Sequence, residues 1–189
     1  MLMMKYVDYL QHTERILSAA TPAPPYDNPY YLEYTRLNFS RMNRWNKVLQ
    51  LNEELSDLLK SIQRPQTWII IAEPWCGDAA PALPFLIRLA ELNPNIRYDI
   101  QLRDQEPFLI DQYLTNGGKS IPKLIVRDAA GSDLFTWGPR PALAQQLMEE
   151  QKAAGVEKTE ISAALQNWYN ADKGVEMQRE LLELFLQFS

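Results

Sequence analysis

Apolar and polar positions change their rhythm near residue 66. Before it, the pattern is helical. Residues 3–19 form one amphipathic stretch, stopped by Thr21-Pro22-Ala23-Pro24-Pro25, which cannot continue a helix. Residues 31–50 form a second, with Met42, Trp45 and Leu49 on one face. Leu55, Leu58, Leu59 and Ile62 recur at i, i+3, i+4 and i+7 and predict a third, with Asn52 or Ser56 as its cap. From Thr67 the spacing turns to that of strands. Thr67–Ala72 is short, apolar and β-branched, which reads as a central strand. Residues 78–92 return to helical spacing, with Asp78 expected as N-cap and Pro84 as the site of a kink. Ile96–Leu102 alternates as a strand does, and 106–115 reads as a helix stopped by Asn116-Gly117-Gly118. Lys123–Arg127 and Asp133–Trp137 make a hairpin about Gly131-Ser132, and a helix follows over 141–153. The tail, 158–188, is two helical stretches broken at Asp172-Lys173-Gly174. This order predicts an α/β fold: a mixed sheet whose strands 67–72 and 96–102 run parallel across a right-handed connection. It divides the chain into a helical N-terminal extension (1–65), a sheet domain (66–156) and a C-terminal helical extension (157–189).

Composition narrows the chemistry. The 189 residues are 46% hydrophobic and 23% charged, with a formal net charge of −5. That balance is globular and argues against nucleic acid as a partner, since phosphate binding needs clustered cations. The basic strip Arg41, Arg44 and Lys47 reads as a solvated helix face. No uncharged run reaches signal-peptide or membrane-span length, so no membrane association is expected. Cys76 is the only cysteine, which rules out an intrachain disulfide and fits a reducing, cytoplasmic setting. The single His12 is remote in sequence, no metal-ligand cluster exists, and no metal is expected. Gly118-Lys119-Ser120 imitates the end of a phosphate loop, but Tyr113 stands where the first glycine is required.

Cys76 sits in Glu73-Pro74-Trp75-Cys76-Gly77-Asp78-Ala79, at a strand-to-helix turn where a sulfur can be exposed and activated. The first-turn amides favour its thiolate by roughly 0.3–1 kcal/mol. A carboxylate at ~6 Å, as Asp78 offers, opposes that by ~0.7 kcal/mol in water and about 2.8 kcal/mol at an effective dielectric of ~20. The direction of the thiol's shift is therefore open from sequence. Glu73 reads as an exposed turn residue, with proton transfer to Cys76 as the lesser alternative. Tyr26, Tyr30, Tyr31 and Tyr34 read as packing the N-terminal arm onto the sheet.

Over residues 66–153 the order of elements and the motif Trp75-Cys76-Gly77-Asp78 resemble the thioredoxin family. Pro84 matches that family's helix-kinking proline, Ile121-Pro122 its cis-proline pair facing the thiol, and Trp137-Gly138 its post-hairpin glycine turn. The helical arm and the Trp-Cys-Gly-Asp-Ala run are most similar to a bacterial single-cysteine branch. The resemblance implies a thioredoxin fold and a redox role, with Cys76 catalytic and Trp75, Gly77, Asp78, Ile121 and Pro122 binding substrate, Trp75 and Ile121-Pro122 forming a shallow apolar groove for an extended partner. Ala79 replaces the resolving cysteine, Asp78 the redox-turn proline, and Ile70 the buried aspartate. Only the nucleophilic half of the chemistry carries over. The reading is a monothiol thiol-disulfide oxidoreductase or thiol-reactive protein in cell redox homeostasis. It would need no bound cofactor, use glutathione or another small thiol as co-substrate, and act on a protein or small-molecule thiol or disulfide. The rival is a thioredoxin-fold binding module without redox activity. The apolar tail face, with Leu181, Leu184, Phe185 and Phe188, packs on its own domain or mediates a homodimer.

Overall fold

The apolar run before the cysteine becomes β1 (Gln66–Ala72), whose last five positions are all buried, as a strand covered on both faces requires. A computed structural model describes residues 3–188. On one side β1 pairs in parallel with β2 (Ile96–Leu102), Ile70 opposite Ile100. On the other it pairs antiparallel with β3 (Lys123–Arg127), Ile69 opposite Ile125. β4 (Asp133–Trp137) extends the sheet antiparallel to β3, giving the order β2-β1-β3-β4. This is the thioredoxin fold expected from the sequence.

Three helices precede the sheet: α1 (Tyr6–Ser18), α2 (Pro29–Val48) and α3 (Glu53–Ser61). Their starts are written locally. Asn28 accepts from the Tyr30 amide at 2.9 Å with Pro29 at the first helical position, and Asn52 accepts from the Leu55 amide at 2.8 Å. The segment leading into α1 is tied to the edge of β2. The Met4 amide donates to Asp99 Oδ1 at 2.7 Å, and the Ile100 amide donates to Met4 O at 3.0 Å. That covers part of a strand edge that would otherwise offer unpaired amides.

The crossover helix α4 (Ala79–Ala90) buries eleven of its twelve residues, sparing only Arg88. A helix apolar on every side must be enclosed, and α4 lies between the sheet and α2. Pro84 stands inside it. After β4 come α5 (Ala142–Ala153), α6 (Lys158–Asp172) and α7 (Val175–Gln187). Between α6 and α7 the backbone turns left-handed at Lys173 and Gly174, and a Cβ on Gly174 would lie 2.4 Å from the Phe85 ring. Only glycine fits there. α7 spends its apolar face on the chain's own core: Leu181 is fully buried, and the Phe185 ring centroid lies 5.4 Å from that of Trp68 and 4.8 Å from that of Phe135. Among the described residues no helix is long and apolar enough to cross a membrane.

One expected helix is absent. Residues 106–115 contain only a 3-10 turn, Leu109–Gln112. Pro107 has no amide to donate, and Phe108 adopts a left-handed backbone (φ 54°), so helical geometry cannot propagate through the pair.

Candidate functional site

The site is assembled where β1 ends and α4 begins. The chain turns at Glu73-Pro74, and the Cys76 amide donates to Glu73 O at 2.9 Å. The turn brings Cys76 against the segment before β3, where its thiol donates to Ile121 O at 3.3 Å. The Ile121–Pro122 peptide bond is cis. Pro122 itself is buried behind the site, and its carbonyl presses on Gly138: a Cβ at Gly138 (φ 108°) would lie 2.3 Å from Pro122 O.

Cys76 is not presented to solvent as its turn position suggested; only 6% of it is exposed. Its thiol pKa is pushed up to about 12, by burial first and by the Asp78 carboxylate second. The amides of Ala79 and Asp78 and the Arg140 guanidinium act in the opposite direction but do not prevail. At neutral pH the thiolate fraction is on the order of one in 100,000.

Asp78 does not cap α4 through its side chain. Its backbone is already helical (φ −81°, ψ −26°), whereas a capping residue is extended. The carboxylate instead accepts from Tyr169 Oη at 2.8 Å and pairs with Arg140 Nη2 at 2.7 Å, with side chains 11% and 19% exposed. Neighbouring Gly77 O accepts from Gln166 Nε2 at 2.9 Å. Both Gln166 and Tyr169 come from α6, so the tail helix completes the thiol turn.

Glu73 is buried, not an exposed turn residue; only 4% is accessible. Its Oε1 accepts from the Asp104 amide at 3.0 Å and its Oε2 from Tyr26 Oη at 3.4 Å. Burial raises its carboxyl pKa to about 7, chiefly over the opposing pull of the Asp104 amide. His12 shares with Glu73 and Tyr26 a cavity separate from the one Cys76 lines. Burial and the nearby Arg15 cation lower the His12 pKa.

Over Cys76 lies a cavity of about 710 Å³. Trp75, Cys76, Gly77, Asp78 and Ile121 line it together; Pro122 does not. One wall is aromatic: Tyr30, Tyr31 and Tyr34 of α2 beside Trp75, with Tyr31 edge-on to Trp75 at 5.4 Å between centroids. Arg103 lies over the Trp75 ring at 4.6 Å and forks onto Asp104 with two 2.8 Å contacts. The groove expected here is thus a cavity with an aromatic wall and charged side chains in its lining. The tyrosines, Arg103, Arg140 and the α6 residues were missed because only tertiary packing brings them here; the i, i+4 spacing of Tyr30 and Tyr34 was the one local hint. Among the described residues no cluster of side chains suited to a metal ion occurs.

Comparison with known proteins bears on the fold. A crystal structure of an HIV epitope-scaffold superposes with a TM-score of 0.63 at 18% identity, over 98% of this chain and 94% of that chain. A protein of unknown function from Pseudomonas aeruginosa gives 0.51 at 19% identity, over 92% and 94%. At such identities the likeness concerns the fold. The NTD_N/C domain of alkylhydroperoxide reductase AhpF from Enterococcus faecalis gives 0.40 at 21%, over 51% and 45%, too loose a superposition to argue from. No curated protein matches the chain. The family profile described as thioredoxin matches residues 25–154, well over half of the sequence, and the chain belongs to the thioredoxin family.

Proposed function

We propose that this is a thioredoxin-fold binding protein whose ligand enters the cavity over Cys76, and whose resting thiol is protonated and not a nucleophile. The observation that carries this reading is the state of the sulfur: 6% exposed, donating to Ile121 O, with its pKa pushed up to about 12. Dithiol exchange is closed to a chain with one cysteine. Residues 66–156 are the thioredoxin-like unit in this reading. The extensions 1–65 and 157–189 wall its cavity through the α2 tyrosines and through Leu165 and Gln166 of α6. In this reading the single-cysteine Trp75-Cys76-Gly77-Asp78-Ala79 run resembles that of a bacterial branch, and the lone thiol suits a cytoplasmic setting.

Monothiol exchange is the second reading. It is favoured by the sulfur's position on the cavity wall, with the amides of Asp78 and Ala79 and the Arg140 cation all favouring its thiolate. In that reaction the thiolate attacks one sulfur of a disulfide, the S–S bond breaks, and the other sulfur leaves as a thiolate. A small thiol such as glutathione then attacks the mixed disulfide, releases Cys76 and carries the oxidation away. Turnover of a glutathionylated peptide by the parent and by Cys76→Ser separates the two. Equal, background rates are expected; a parent rate well above that of the variant overturns the binding reading.

A further inference from the structure

The cavity over Cys76 is cationic although the chain carries a net −5. Five cations line it, Arg103, Lys119, Arg140, Lys152 and Lys158, against the single carboxylate of Asp78. Three of the five already have partners. Arg140 pairs with Asp78, Arg103 with Asp104, and Lys119 with Asp111, each at 2.7–2.8 Å. Lys152 and Lys158 have no ion-pair partner among the described residues. They flank the turn between α5 and α6 and so share one rim. Lys158 Nζ lies 5.6 Å from the Tyr30 ring centroid, which holds its charge across the mouth toward α2. Two uncompensated ammonium groups above an aromatic wall attract an anion that also carries an apolar part.

We infer that the cavity takes a small organic molecule bearing two or more carboxylates, held by Lys152 and Lys158 with its apolar part against Trp75 and the α2 tyrosines. This rests on the binding reading above and adds the chemical class of the ligand. A volume of about 710 Å³ lies within the range of small-molecule sites, roughly 300–1,000 Å³. The walls on α2, α5–α6 and the Ile121 turn enclose the space on several sides, which suits a small molecule better than a length of protein chain.

The probe is S-methylglutathione, which carries two carboxylates and a thioether that cannot exchange with Cys76. It is titrated by calorimetry into the full chain at low salt, beside its dimethyl ester. Saturable binding in the millimolar range or tighter is expected for the acid, weakening as salt screens the lysines. The ester should bind roughly three- to tenfold more weakly, and Lys152→Ser/Lys158→Ser should weaken the acid by a similar factor. Lys60→Ser, on the exposed face of α3, should leave it unchanged. Both lysines at the rim are exposed, so the double variant should melt with the parent. No saturable binding of the acid, equal binding of acid and ester, or an unaffected double variant overturns the inference. Ester binding as strong as that of the acid would do so while leaving the binding reading intact.

Discussion

The Asp78–Arg140 pair offers a test in which stability and thiol acidity must move in different ways. Removing either partner leaves the other charge uncompensated in a site where the side chains are only 11% and 19% exposed. Stranding one member of a buried pair costs about 3–5 kcal/mol. Residual exposure and, for Asp78→Asn, the surviving Tyr169 hydroxyl place the expected cost near ~3 kcal/mol. For a chain of this size that lowers the Tm by roughly 6–12 °C. The thiol responds with opposite signs. Asp78 raises the Cys76 pKa, so Asp78→Asn should lower it; Arg140 lowers it, so Arg140→Met should raise it. The double variant strands neither charge and should recover more than half of the lost stability. Thermal unfolding by circular dichroism gives the first quantity, and alkylation rate against pH gives the second. Thiol shifts of the same sign in both single variants, or additive stability losses in the double variant, would refute the coupling.

Other consequences concern groups around the site. Glu73 has a folded pKa of about 7 against an ordinary 4.5, so the native state holds a proton the unfolded chain gives up between those values. Stability should therefore fall as pH rises through that window, by on the order of 3 kcal/mol, and Glu73→Gln should flatten the fall, as urea unfolding at several pH values would reveal. Gly138→Ala should cost at least about 2–3 kcal/mol, because its Cβ would meet Pro122 O at 2.3 Å from a left-handed backbone; Gly131→Ala, with open space around it, should cost only about 1 kcal/mol. Leu181→Ala, at a fully buried position of α7, should cost about 2–5 kcal/mol in chemical denaturation, and an unchanged midpoint would mean that α7 is not part of the core.

How much was legible in the chain depended on whether its cause was local. β2, β3 and β4 fall at the residues expected for them, Ile96–Leu102 from its alternation and Lys123–Arg127 with Asp133–Trp137 from the hairpin about Gly131-Ser132, because these signals are local. Asn28 and Asn52 cap helices through side-chain bonds three residues long or shorter, and Asn52 was readable for that reason. The 106–115 stretch had helical composition, but Pro107 and the backbone of Phe108 decided it. The site was legible only as a turn. Five of its six candidate residues converge on one cavity, yet its environment is set by pairings of Tyr26 with Glu73, Ile121 with Cys76 and Tyr169 with Asp78, which are 47, 45 and 91 positions apart in sequence. Asp78 shows the limit best. Its type and place suggested a helix cap, while Arg140 and Tyr169, distant in sequence, made it half of a buried ion pair.

The most direct measurement is the ionisation of Cys76 in the intact parent chain, followed by thiolate ultraviolet absorbance and by alkylation rate across pH. A silent thiol, titrating far above the ordinary cysteine value of about 8.5 and toward 12, is the predicted result. A thiolate forming near or below neutrality, with rapid alkylation there, would contradict it and return the sulfur to the role of nucleophile.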